Sequence, residues 1–246
     1  MKLHILGTAG YHPNEQRHTT CVAIPECGIV FDAGTSIFRL RDLLATKELD
    51  IFLSHAHLDH VVGLTYLLDI LHEKPVDCVR LHGLPGKLKV VRECLFHPEV
   101  FPVEPPFASV SLTDVVDVAG GGQLTHCSLT HPGGSVGYRI DWPDRSLAYI
   151  TDTTAQADSD YIEFIRGVDL LVHECNFSDG HDDLAKLTGH SCTSDVATVA
   201  KRAAVGELVL IHMNPLADSD DPIGLDVARG IFAKTSVAND GDVFVF

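Results

Sequence analysis

The feature that most constrains this chain is an alternation that runs its whole length. Short apolar, β-branched runs, mostly bounded by Gly, Pro, Asp or Asn, are interspersed with amphipathic stretches of helical period. The runs fall at 3–6, 21–24, 28–32, 50–53, 76–81, 108–112, 114–118, 136–140, 146–150, 168–172, 207–211 and 242–246, and each reads as a strand. Helical spacing appears at 35–46, 60–72, 84–95, 159–166 and 193–205, as in Val196, Val199, Ala200 and Ala203 of the last. Strands grouped in this way, with helices among them, favour sheets packed on each other with helices outside. The segment 96–107, FHPEVFPVEPPF, interrupts the periodicity with its prolines and reads as an extended surface connection. No internal repeat of fixed period is visible.

At 246 residues the chain can bury a substantial core, and a single domain over 1–246 is expected. A content of 45% hydrophobic and 21% charged residues is that of a globular protein. The net charge of -16, with only 18 Lys and Arg, argues against a broad electrostatic grip on a nucleic-acid backbone or an anionic membrane. An anionic substrate must then be held locally, which bound cations can do inside an acidic protein. The seven cysteines (21, 27, 78, 94, 127, 175 and 192) are odd in number and form no C-x-x-C pair, so neither a disulfide framework nor a zinc ribbon is expected. With too short an apolar stretch in MKLHILGTAG for a signal peptide and no run of 18 apolar residues, a soluble cytoplasmic protein without a membrane partner is expected.

Residues 53–60 read LSHAHLDH, three imidazoles and a carboxylate within six positions. In an extended segment residues i and i+2 point the same way. His55 and His57 can therefore converge on one cation, while Asp59 and His60, at the turn into the next helix, face a second. Closing such a site needs ligands from other strand ends. His131 follows the strand-like QLTHCSLT, Asp152 ends SLAYITD, and His212 ends ELVLIH. Each is a metal-competent side chain placed where a rigid scaffold delivers functional residues. The plainer alternative is a set of unrelated loop residues.

HAHLDH with His131, Asp152 and His212 in this order, together with LGTAG, FDAG and the closing NDGDVFVF, resembles the metallo-β-lactamase superfamily of hydrolases across essentially the whole chain. The resemblance implies an α/β fold, a four-layer αββα sandwich, with the site along one edge of its two sheets. By the family pattern His55, His57 and His131 hold one metal, Asp59, His60 and His212 the other, and Asp152 bridges them. Asp32 in FDAG is either a helix-start residue or a carboxylate orienting a metal-bound imidazole. LLVHECNF (170–177) and TGHSCTSDVATVAKRAAVGELVLIHMNP (188–215) are similar to the phosphodiesterase branch that includes ribonuclease Z. That similarity makes Glu174 and His190 a catalytic pair, with Asp59 a third catalytic residue; their alternative is a solvated strand end and a turn-packing ring.

Ribonuclease Z carries its tRNA-gripping arm between the ligands matching His131 and Asp152, where this chain has one hairpin, PGGSVGYRIDWPDRSLAYIT. The spacing is similar to that of the phosphoribosyl cyclic phosphate phosphodiesterases, without their cysteine-based structural zinc site. The expected function is a binuclear metal-dependent phosphodiesterase in which a metal-bridging hydroxide attacks a small or cyclic phosphodiester. Zn²⁺ suits the ligand set, and Mn²⁺ or iron also satisfies it. tRNA is not the expected partner, and a homodimer is left open. Three rivals stand beside this: a glyoxalase II-like thioester or lactone hydrolase, a tRNA 3′-endonuclease, and a non-catalytic cofactor-binding member of the fold. His12, Arg17 and His18 belong to a loop that could border the pocket, Arg17 being the candidate cation for a substrate phosphate. The remaining histidines (4, 72, 82, 97, 126, 173 and 181) have no ligand-like companions.

Overall fold

The computed structural model describes every residue except Asp218 and Asp220. The chain divides into two compact units, residues 1–119 with 239–245, and residues 120–238 with Phe246. Strands are numbered β1 to β14 and α-helices α1 to α6 in chain order.

The first unit contains β1 (Lys2–Gly7), β2 (Cys21–Ile24), β3 (Ile29–Phe31), β4 (Glu48–Phe52), β5 (Cys78–Gly83), β6 (Ala108–Ser111), β7 (Val116–Val118) and β14 (Val243–Val245). Its sheet runs β14-β1-β2-β3-β4-β5-β6. Pairing is antiparallel from β14 to β3 and parallel from β3 to β6. The parallel half needs crossovers, which carry the helical segments α1 (Leu58–Val61), α2 (Leu67–Leu71) and α3 (Pro85–Val90). Val30, Ile51 and Leu81 from the strands join Ile37, Leu64, Leu67 and Leu88 from the helical segments in one core.

The second unit repeats this plan. It contains β8 (Gly122–Leu129), β9 (Ser135–Trp142), β10 (Arg145–Ile150), β11 (Leu170–Glu174), β12 (Glu207–Ile211) and β13 (Thr235–Val237), with α4 (Asp182–Thr188), α5 (Thr193–Ala203) and α6 (Leu225–Ile231). These strands lie in the order β13-β12-β11-β10-β9-β8. β8, β9 and β10 are antiparallel neighbours, and β10 to β13 are parallel. Ala148, Ile150, Leu171, Leu208 and Leu210 pack with Val196, Val199 and Ala200 of α5, the face that its 3.6-residue period selects.

The strand expectations hold within a few residues, and QLTHCSLT lies in β8 up to Leu129, with its final Thr130 just beyond the strand. Four helical expectations change form. The segment 35–42 is a 3₁₀ helix, because Ile37, Leu40 and Leu43 recur every three residues and suit three residues per turn. The stretch 60–72 is broken into α1, a 3₁₀ segment over 62–66, and α2. There the loop after β3 takes the helix's own backbone groups: Ala33 N donates to His60 O and Gly63 N donates to Ala33 O, both at 2.8 Å. The helix at 84–95 ends in a π turn over 91–95. At 159–166 only Asp160–Ile162 is helical before Gly167 turns the chain at φ 69°. Helices α4 and α6 were not foreseen. Each buries only an alanine, so no apolar stripe marks it.

Candidate metal centre

In the first unit the candidate ligands follow the carboxyl ends of parallel strands, where an α/β sheet presents its functional groups. Phe31 of β3 is followed by Asp32, and β4 runs out into Leu53, Ser54 and His55. Asp32 is fully buried, at φ 56°. Its carboxylate accepts from Ser54 N at 2.8 Å, from Ser54 Oγ at 2.8 Å, and from His60 Nδ1 at 2.9 Å. It caps no helix, since the 35–42 segment begins after Gly34 without a side-chain cap. Ser54 Oγ gives its proton to Asp32 and so accepts from His55 Nδ1, at 3.0 Å. His57 is the extended residue that precedes α1. The His55 ring lies 4.4 Å from the rings of both His57 and His60. Asp59 Oδ2 is 3.3 Å from His60 Nε2 and accepts from Tyr11 N at 2.8 Å. His55, His57, Asp59 and His60 thus lie close together after β4, His55 and His57 in one group of candidate ligands and Asp59 and His60 in another.

The second unit gathers the remaining candidates. Asp152 follows β10 and His212 follows β12, at φ 46° and 62°. Non-glycine residues seldom adopt this region, and at a site the surrounding structure has to hold them there. Asp152 Oδ1 lies 3.2 Å from His212 Nε2, and its Oδ2 lies 3.6 Å from His131 Nε2. One carboxylate therefore offers one oxygen toward each of two imidazoles. His131 Nδ1 donates to Gly189 O at 2.8 Å. Glu174, the last residue of β11, is fully buried. Its Oε1 accepts from Thr153 N at 3.0 Å and from His190 Nδ1 at 3.2 Å, and its Oε2 accepts from Ser191 N at 3.4 Å. The His190 ring stands 5.3 Å from that of His131 and 5.1 Å from that of His212.

The donor set fits a divalent metal. His55, His60 and His131 each commit Nδ1–H to an oxygen acceptor, which fixes the tautomer and leaves the Nε2 lone pair as the ligand atom. Imidazoles combined with carboxylates are the ligands of zinc and its neighbours.

Other sequence candidates are occupied elsewhere. Arg17 donates to Thr8 Oγ1 at 2.6 Å and to Asn239 Oδ1 at 3.0 Å, which joins segments of the first unit, so its guanidinium has a structural task. His18 pairs with Thr35 Oγ1 and packs against Phe38, and His12 donates to Pro13 O. Sequence reasoning missed Ser54, Thr153, Ser191 and Gly189 as supports. Their one signal is adjacency, since each directly precedes or follows a candidate residue.

Residues 28–213 match the Beta-lactamase superfamily domain. A ribonuclease Z of Bradyrhizobium diazoefficiens is 28% identical, with 99% of each chain covered. Among solved structures, the metallo-β-lactamase fold protein YhfI of Bacillus subtilis is similar at a TM-score of 0.82 and 20% identity, over 99% of each chain. The short form of human tRNase Z is similar at a TM-score of 0.76 and 22% identity, over 100% of this chain and 99% of its own. The chain belongs to the β-lactamase superfamily: it is a hydrolase with the metallo-β-lactamase fold, two mixed sheets flanked by helices, as the sequence implied. A relative named ribonuclease Z weakens the expectation that tRNA is not a partner.

Proposed function

We propose that His55, His57, Asp59, His60, His131, Asp152 and His212 hold two divalent transition-metal ions, zinc first among them, and that the enzyme hydrolyses a small or cyclic phosphodiester. The carrying observation is the pair of Glu174 and His190, with the His190 ring directly beside two of the candidate ligands. The family match spans residues of both compact units, which supports reading 1–246 as one catalytic domain.

When bound, such ions supply an activated water and neutralise charge at the phosphoryl group. His190, oriented by Glu174 through Nδ1, presents Nε2 and its proton to the leaving oxygen. Asp59 takes the proton that the attacking water releases. One P–O bond forms to the water oxygen as the bond to the leaving alcohol breaks, which gives a phosphomonoester and a free alcohol. The buried Glu174 carboxylate accepts from Nδ1–H of His190 and so fixes the direction in which Nε2 is presented.

Two observations support a small substrate. His131 and Asp152 are separated only by the β9–β10 hairpin, with Trp142 paired to Arg145, so no arm stands there. The aligned length with the Bradyrhizobium relative, 303 positions, also exceeds the 246 residues of this chain, so that relative carries segments with no counterpart here. The second reading, a tRNA 3′-endonuclease, is favoured by the name of that same relative. A cytoplasmic location is in keeping with seven free thiols and with the finding that no described helix is long and apolar enough to cross a membrane. Oligomeric state, monomer or homodimer, is a direct sedimentation measurement.

The test is His190→Ala. The variant should keep its metal, because His190 is outside the ligand set, and should lose roughly 10²- to 10⁴-fold in kcat on an alkyl phosphodiester. Glu174→Gln should lose less in the same direction, and aryl leaving groups, which need no proton, should soften both defects. Unchanged phosphodiester turnover in His190→Ala, with a thioester as the faster substrate, would transfer the assignment to the glyoxalase II-like rival.

A further inference from the structure

We propose that the cavity onto which His190 opens is the subsite of the leaving alcohol, and that it selects a small polyhydroxylated moiety over an apolar or an anionic one. The inference rests on the reading of His190 as proton donor. A donor must stand within hydrogen-bond reach of the oxygen it protonates, so the atoms beyond that oxygen occupy the space adjoining its ring. In the second unit His190 lines a cavity of about 270 Å³ together with Thr154, Gln156, Asp182, Lys186 and Asp195, and this is the space we assign to those atoms. Thr154, Gln156 and Lys186 also wall a neighbouring hollow of about 500 Å³. There is room for several heavy atoms past the scissile oxygen.

The chemistry of these walls decides what fits. Asp182 and Lys186 lie one turn apart on α4, Asp195 lies in the first turn of α5, and Thr154 and Gln156 follow β10. Among the described residues, no hydrogen bond or ion pair engages the side chains of Gln156, Asp182, Lys186 or Asp195. An apolar leaving group would strip water from these groups and return no hydrogen bond. An anionic one would meet two carboxylates for one ammonium. A hydroxyl both donates and accepts, so it can give its proton to the carboxylates and receive one from the amide of Gln156 or the ammonium of Lys186. Burial first, then the neighbouring Asp182 and Asp179, push the Asp195 carboxyl up from its usual value.

Two diesters matched in leaving-group acidity test this: methyl glyceryl phosphate and methyl methoxyethyl phosphate, with products quantified for the metal-loaded enzyme. The glyceryl ester should be favoured at least tenfold in kcat/KM, and Gln156→Ala and Asp195→Asn should each shrink that ratio below threefold. Independently of turnover, a methyl pentoside added to the metal-free protein should shift the NMR signals of Gln156 and Lys186, and butanol should not. Equal kcat/KM for the two diesters, with His190→Ala slowing both, leaves the phosphodiesterase standing and overturns the subsite. Failure to hydrolyse either diester removes the phosphodiesterase reading, and this assignment with it.

Discussion

Three residues of the candidate centre, Asp32, Asp152 and His212, share a left-handed backbone at φ 56°, 46° and 62°. Each such residue costs of order 1–3 kcal/mol, which surrounding contacts must offset. For Asp32 those contacts are visible, since Ser54 and His60 both donate to its carboxylate. Asp32→Asn should therefore weaken metal binding about 10- to 100-fold, because the amide neither carries the charge nor accepts equally from His60 Nδ1. Competition against a chromophoric chelator measures this, and unaltered affinity would refute the orienting role. Asp152→Ala should lose metal and activity together, as a residue with one oxygen toward each of two imidazoles must.

Elements place these residues by yielding regular structure at chosen points. The loop after β3 draws backbone groups from the 58–71 helical stretch, and the same intrusion brings Asp32 to His60. At the end of α4, Gly189 has φ 78°, and an added Cβ would lie 2.2 Å from Pro132 Cδ and 2.7 Å from His131 Nδ1. Gly189→Ala should lower both the melting temperature and metal affinity, since it strains the backbone and displaces the imidazole that Gly189 O anchors. A variant that binds metal normally would contradict that anchor. Strand β11 carries a different constraint. His173 is fully buried, with Nε2 accepting from Tyr161 OH at 2.8 Å and Nδ1 donating to Glu174 O at 2.6 Å. Burial holds its pKa below 6.5, so the unfolded chain binds more protons between the folded pKa and 6.5. The stability that comes from a neutral His173 is complete above pH 6.5 and is lost as pH falls through that window. In metal-free protein the melting temperature of His173→Gln should fall less steeply below pH 6.5 than that of the wild type. Parallel profiles would exclude the contribution.

For the molecule as a whole, a ligand set of seven exceeds what one tetrahedral cation needs. Metal analysis of reconstituted protein should return close to two ions, with activity lost on chelation; full activity with one ion or none would refute the pair. The charge of -16 sets the second expectation at this scale. Lys and Arg contacts supply most affinity for nucleic-acid phosphates, so tRNA should bind weakly at physiological salt. Tight binding of precursor tRNA with cleavage at its 3′ side would favour the endonuclease reading over the small-substrate one.

The strand pattern and the candidate ligands were legible in the sequence because both are local. Strand runs such as 21–24 and 207–211 carry their own bounds, and HAHLDH places its side chains through backbone geometry alone. The resemblance then supplied Glu174 and His190, whose pairing joins residues sixteen positions apart. What the sequence could not decide rests on contacts between distant segments. Asp32 orients His60 instead of capping a helix because residues twenty-eight apart meet in a buried hydrogen bond. Arg17 is drawn to Asn239, 222 positions away, a partner that no local pattern announces. The helix at 60–72 is broken by backbone groups of a loop that no local propensity registers. Propensity and spacing act over a few residues, whereas the partner that satisfies a buried donor or acceptor is chosen only when the chain folds back on itself.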